Sequence, residues 1–297
     1  MTRTHPSQAV HTRQLAALLA PYLLGALLLV LLPAGLGFAI SLYRFDALST
    51  PLYRSLQNFQ DLRLEPLLPV ALSNSIFYIV TAVPLRILAA LGLALLYLKP
   101  RRLTRVYRAI ACLPSVIPDA AYALVWLWIF NPLYGPLNLV LSALGLPTPG
   151  WLTEITTAKP AFVLMALFQI AEGFVILLAG LKSIPAMIYA AARVDGASGW
   201  QTFRFITLPV LAPWLLLLTI RDIIFSFQST FTPALLMTKG GPYYATLFLP
   251  LLMYDEAFDG LRFGIAAAIM VLMFVVVAVL ILLAYWLFEE GWGDDAL

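Results

Sequence analysis

The chain has 297 residues, of which 62% are hydrophobic and only 11% charged, against roughly 45–50% apolar and about 25% charged in soluble domains. That composition excludes a soluble globular protein, and a formal net charge of +3 spread thinly along the chain gives no basic patch for nucleic acid. The single cysteine, Cys112, has no internal disulfide partner, and both histidines, His5 and His11, lie in the polar N-terminal tail, so the sequence offers no Cys/His metal site.

In chain order, a polar tail over residues 1–14 leads into a first apolar run over residues 15–43. That run is too long for the ~7–15-residue core of a cleaved signal peptide and lacks a small-residue cleavage context, so a retained first helix is expected. Further runs follow over residues 74–98, 106–130, 160–181, 208–236 and 263–288, without the alternation of barrel strands. A crossing needs about 20 apolar residues, so the prediction is an all-α integral membrane protein with six transmembrane helices over residues 15–288. An acidic tail, residues 289–297, closes the chain with Glu289, Glu290, Asp294 and Asp295.

Lys and Arg are retained on the cytoplasmic side of a membrane. With the N-terminus inside, ten basic residues fall on inner segments, namely Arg3, Arg13, Lys99, Arg101, Arg102, Arg105, Arg108, Lys182, Arg193 and Arg204. Six fall outside, namely Arg44, Arg54, Arg63, Lys159, Lys239 and Arg262. Both termini are therefore expected in the cytoplasm.

The inner loop over residues 182–207 carries stronger local signals than a plain connector. Pro185 suits the first turn of a helix, Ala186–Val194 are mostly good helix formers, and Asp195-Gly196 is a turn in which Gly can take positive φ. Ser198 and Gln201 make a capping box that starts a second short helix running to Pro209, where the fifth span begins. The loop reads as a cytoplasmic helix-turn-helix whose Ala191, Ala192 and Ala197 beside Trp200 and Phe203 form a knob that another protein could grip. The alternative is an amphipathic surface turn with no partner.

Ala191-Ala192, Gly196 and Ile206-Thr207-Leu208-Pro209 have the spacing of the EAA loop, and the segment resembles that signature of permease subunits of binding-protein-dependent ATP-binding-cassette (ABC) importers. The stretch Arg193-Val194-Asp195-Gly196-Ala197-Ser198 is similar to the carbohydrate-uptake branch. The motif's leading glutamate falls at Ala190, so any salt bridge it makes in relatives is missing here. The resemblance extends over roughly residues 18–288. It includes Asn74-Ser75 at the second span, then Pro114, Pro118, Trp126, Gly135 and Asn138 around the third. Thr238-Lys239-Gly240-Gly241-Pro242, Thr246, Tyr254, Ala257-Phe258, Arg262 and Gly264 match the outer loop and last-helix entrance of maltose and glycerol-3-phosphate permeases.

The resemblance implies a type I ABC importer permease fold with its core region at about residues 70–285. It also implies a coupling loop, residues 182–207, that docks into a groove on an ATPase and transmits its movement through Ala190, Ala191, Ala192, Arg193, Asp195, Gly196, Ala197, Ile206, Leu208 and Pro209. The implied partners are a second, different permease, two ABC ATPase subunits and an extracytoplasmic substrate-binding protein, in the inner membrane of a prokaryote. The implied substrate is a carbohydrate or a related polyol or glycerol-phosphate compound. No G-x-x-x-x-G-K-[ST] occurs in the chain, so ATP and Mg are expected in the partner subunits and no catalytic residue is expected here.

An ionised side chain at mid-membrane costs roughly 2.5–3.5 kcal/mol and must face protein or water. Arg86, Asp119, Glu172, Arg221 and Asp222 are placed within spans, with neutral Gln169, Ser226 and Gln228. One reading makes Gln169, Glu172, Asp222 and Ser226 line the substrate path; the other pairs Arg86 or Arg221 with Asp119, Glu172 or Asp222 to hold the bundle. Trp126, Trp128, Tyr134, Trp151 and Tyr254 read as interfacial belt anchors rather than sugar-stacking rings. Gly260 and Gly264 have the spacing for close contact with the other permease, and Cys112 reads as a small core residue. Two rivals remain. A stand-alone secondary transporter would not need the coupling loop, and an intramembrane enzyme would lack a histidine, paired motif or evident nucleophile.

Overall fold

The computed structural model describes residues 15, 18–98, 109 and 111–292. The N-terminal tail with its two histidines, the basic cluster Lys99 to Arg108, the first residues of the expected third span, and Asp294 and Asp295 lie outside the described residues.

Among the described residues, four helices are long and apolar enough to cross a membrane: α1 (Leu18–Ile40), α3 (Leu68–Leu96), α9 (Gly199–Thr238) and α11, whose crossing portion is Phe263–Glu290. The pair α6 (Ile155–Ala166) and α7 (Ala171–Ser183), bent by 47°, makes a fifth if counted as one span. The described part of the expected third span is the shorter apolar helix α4, Asp119–Ile129. Residues 160–181, read from sequence as one run, are thus two half-helices with a break at residues 167–170.

The chain divides into two compact units. The first comprises residues up to Glu65 and Met253–Leu272. In it, α1 leaves most of its leucines exposed, as a lipid-facing helix does. A small antiparallel ladder follows, β1 (Tyr43–Arg44) with β2 (Leu52–Tyr53), in the register Tyr43 to Tyr53. Strands of two residues are too short to show alternation, so the ladder was not foreseen. Helix α2, Gln57–Arg63, brings in buried Asn58, whose Nδ2 donates to the carbonyls of Ser41 at 2.7 Å and Tyr43 at 2.9 Å. A Cβ on Gly264 would collide with the Tyr43 carbonyl and Asn58, so the close approach of α11 to this loop requires glycine. Gly264 is thus occupied within the chain, whereas Gly260 is exposed in the turn before α11, so the two do not form one helix face as their spacing suggested.

Arg262 binds Glu256 at 2.6 Å and Glu65 at 3.7 Å. Burial raises the Glu256 carboxyl above its ordinary range, and the Arg262 charge works against that rise.

The second unit comprises Pro66–Leu252 and Met273–Leu297. Its main core is a cluster from α3, α7 and α9, built on residues such as Leu91, Leu177, Leu178 and Leu215, with half-buried Cys112 packed against it. A second cluster joins Tyr122 and Trp126 of α4, with Phe130 just after it, to Ala161 and Met165 of α6. Trp126 is therefore a core residue rather than a belt anchor, with the rings of Phe130 and Phe168 at 4.9 and 5.0 Å. Trp128 and Tyr134 are exposed, as anchors are. Helices α5 (Pro136–Ala143), α8 (Ala186–Val194) and α10 (Leu249–Tyr254) are the remaining described α-helices, α10 running on into a π-turn over Asp255–Asp259.

Candidate functional site

The segment joining α7 to α9 is the helical hairpin expected from sequence. Pro185 precedes α8 with φ −59° and ψ 133°, one position earlier than the expected first turn. It presets the chain direction without losing a helical bond. At the other end, Gly196 takes φ +73°. Its N–H reaches the Arg193 carbonyl at 3.2 Å, and the Ala197 N–H reaches that of Ala192 at 2.9 Å. This pair of hydrogen bonds is a Schellman motif, which closes the last carbonyls of a helix and needs a left-handed residue.

Ser198 then caps α9. Its Oγ accepts from the Gln201 N–H at 3.3 Å, while Gln201 Oε1 accepts from the Ser198 N–H at 2.7 Å, satisfying two otherwise orphaned donors reciprocally.

The second arm does not stop at Pro209, as the sequence suggested. It continues as a π-turn over Phe203–Thr207 into the membrane-crossing part of α9. Proline has no N–H and would leave a normal α-turn unclosed. The wide turn before it absorbs the defect, with the Leu208 N–H donating to Phe203 O. The second arm and the fifth span are consequently one 40-residue helix. Tyr189 of the first arm is tied to Thr207 by a hydroxyl–hydroxyl bond of 3.1 Å.

The hairpin presents an apolar exterior. Val194 is 88% exposed and Trp200 70%, and Met187 and Phe205 are open as well. Ala190, Ala191, Arg193 and Asp195 are exposed too, whereas Ala192 is buried against the hairpin and Ala197, Ile206, Leu208 and Pro209 are half-buried. A Cβ at Gly196 would meet no atom within 4 Å, so the constraint there is backbone conformation rather than space.

Above this hairpin, charges gather on three helices. Arg86 of α3 lies 3.3 Å from Asp222 of α9 through Nε and Oδ2, with side-chain exposures of 1% and 8%. Arg86 Nη2 also donates to the Asp222 carbonyl at 3.1 Å and Ser226 Oγ at 3.2 Å. Arg221 bonds Asp222 Oδ1 at 2.7 Å and forms an ion pair with Glu172 of α7. The Phe225 ring receives both guanidinium groups, at 5.4 Å from Arg86 and 4.7 Å from Arg221.

Of the residues expected on a substrate path, Asp222 and Ser226 are thus buried and engaged with Arg86. Gln169 is half-buried at the α6–α7 break, and Glu172 is exposed one turn beyond it. Asp119 does not pair with Arg86 or Arg221, as one reading of the sequence allowed. It sits exposed in the first turn of α4 and makes no salt bridge among the described residues, a placement that suits a carboxylate at a helix N-terminus.

The family described as "Binding-protein-dependent transport system inner membrane component" matches residues 86–290. The chain belongs to this family. It is a multi-pass inner-membrane permease of an ABC transporter, a transport subunit with no catalytic role. The permease is 32% identical over 285 residues, 93% of its length and 92% of the relative's, to "Probable ABC transporter permease protein YesP" of Bacillus subtilis (strain 168). It is 32% identical over 233 residues, 76% and 78% of the two chains, to "Lactose transport system permease protein LacF" of Rhizobium radiobacter. A crystal structure of a bacterial alginate ABC transporter, in complex with an alginate pentasaccharide-bound periplasmic protein, shares its fold. That match has a TM-score of 0.76, 22% identity and 94% coverage of both chains.

Several residues of the permease that stood out in the sequence prove to be structural pins. Asn74 Nδ2 donates to the Tyr244 and Leu247 carbonyls at 2.8 and 3.0 Å, and its Oδ1 accepts from Lys159 at 3.2 Å. Ser75 Oγ accepts the Leu249 N–H at 2.9 Å, capping α10 from another helix. The Thr238–Pro242 turn is closed by Thr246, which meets Thr238 at 2.6 Å and donates to Gly241 O at 2.7 Å. Asn138 accepts from Trp151 Nε1 at 2.8 Å. The roles of Lys159 and Trp151 as partners were not legible in sequence, because each meets an asparagine that looked like an isolated polar residue.

Proposed function

We propose that this permease imports a carbohydrate, or a related polyol or glycerol-phosphate compound, by alternating access driven by partner ATPases. It crosses the membrane six times with both termini cytoplasmic, the third crossing beginning before Asp119. It works beside a second, different permease, two ABC ATPase subunits that bind ATP and Mg, and an extracytoplasmic binding protein.

The observation that carries the proposal is the hairpin over residues 182–207. Both of its helices are capped at the turn between them, its apolar tip is bare in the single chain, and its second arm is continuous with a membrane-crossing helix. An exposed apolar knob of this kind marks an interaction surface, and a push on it is delivered to α9 without an intervening hinge. The missing carboxylate at Ala190 leaves docking to rest on shape and on Arg193, Asp195 and the aromatic tip. The carbohydrate class is supported by the lactose-system relative and by the spacing of the loop motif.

Gln169 and Glu172 are assigned to the substrate path because they stand at the break between α6 and α7, where a polar residue meets water or substrate rather than lipid. Asp222 and Ser226 lie behind them, held by Arg86.

The test is co-expression of the permease with an ABC ATPase subunit from the same source, with Val194→Cys placed for cross-linking. Formation of a permease–ATPase adduct is expected. If the thiol introduced by Val194→Cys labels with a soluble reagent as fast in the assembled complex as in the free permease, docking at this loop is contradicted.

A further inference from the structure

The hairpin and the charge cluster stand at opposite ends of one packed column. Ala90, Ala94, Phe174, Leu181, Leu211 and Leu218 belong to a single buried cluster shared by α3, α7 and α9. Leu181 and Leu211 flank the hairpin. At the far end, Arg86 follows one turn beyond Ala90, Glu172 half a turn beyond Phe174, and Asp222 one turn beyond Leu218. At ~1.5 Å per residue the charges sit about 14–17 Å from the hairpin end along α7 and α9.

The two ends hold the helices differently. Apolar packing within the cluster is non-directional and fixes the distance between helices better than their register. An ion pair at 3.3 Å with hydrogen bonds to a carbonyl and a hydroxyl fixes register, because sliding one helix by a turn, ~5.4 Å, separates the partners. The pairing is not one selected for stability alone: among the described residues, Arg86 Nε and Nη1 are buried with no hydrogen-bond partner, and buried ion pairs are commonly no more stabilising than apolar residues of similar volume. The chain of alternating charge Arg86–Asp222–Arg221–Glu172 spans all three helices of the column, with Phe225 against both arginines.

We propose that this charge chain is a register lock. It makes α3, α7 and α9 move as one body when the hairpin is pushed, with Arg86 and Asp222 as positioning residues for transport. The proposal rests on the coupling role given to the hairpin above.

The test uses the complete complex, with spin labels at the exposed positions Val80 of α3 and Ile224 of α9, in nucleotide-free and ATP/vanadate-trapped states. The label-to-label distance distribution is expected to be the same in both states for the unaltered column. In Arg86→Met/Asp222→Leu, which removes both charges together, it is expected to broaden at least twofold on trapping. Arg86→Lys, which keeps the charge, is expected to stay close to the unaltered column. A distance that already shifts by several ångströms in the unaltered column overturns the proposal, as does a double variant indistinguishable from it. A double variant that no longer assembles assigns the charges to folding and also overturns it. Failure of the unaltered permease to retain ATPase subunits at all would instead count against the coupling role of the hairpin.

Discussion

Gly196 holds φ at +73° in a turn whose two hydrogen bonds depend on that value. A β-branched residue is penalised there by roughly 1–3 kcal/mol, enough to favour another turn geometry and tilt the arms. Gly196→Val is expected to insert normally but to show weakened ATPase association, or ATP hydrolysis no longer stimulated by substrate. Substrate-stimulated hydrolysis at the unaltered level would remove the turn from the coupling mechanism. Asn74 answers for two carbonyls and one lysine. Leaving buried polar groups unpaired costs about 1–3 kcal/mol, so Asn74→Ala is expected to lower the thermal unfolding midpoint of the purified permease by several degrees. An unchanged midpoint would mean that the turn over residues 239–248 is held by other contacts.

At the level of elements, the hairpin was legible because its signals are local: Gly at a helix end, Ser and Gln three apart, Pro just before a helix. The features that were misread depend on what lies across the bundle or on how a defect is absorbed. Pro209 read as a stop, yet the π-turn over Phe203–Thr207 carries the helix through it. The break at residues 167–170 contains neither Gly nor Pro, and polar Gln169 was its one signal. Arg86 and Asp222 are 136 residues apart in sequence, so their pairing could be proposed from residue type but not chosen among three acidic partners. Asp119 looked equivalent to Asp222 and is not, since of the two only Asp222 meets a guanidinium among the described residues. On α8, Ala190 is exposed, so a carboxylate can be added there without burial. Ala190→Glu is expected to leave assembly intact and to tighten ATPase retention during purification. Loss of the complex would show that the groove on the ATPase has no room for the longer side chain.

For the whole molecule, the proposed six-crossing topology would place Ser198 inside and Thr148 outside. Single cysteines at these two exposed positions, with Cys112 replaced, are expected to label from opposite faces of the membrane. Labelling from the same face would require a different number of crossings between them. Movement of this chain is proposed to be driven by ATP hydrolysed in partner subunits. It is tested by uptake, into proteoliposomes carrying the permease with a partner permease and ATPases, of a radiolabelled carbohydrate delivered by a cognate binding protein. Coupling to ATP predicts uptake that requires both ATP on the ATPase side and the ATPase subunits, and that an ion gradient does not replace. Uptake by the permeases alone, driven by an ion gradient without ATPase or ATP, would contradict it.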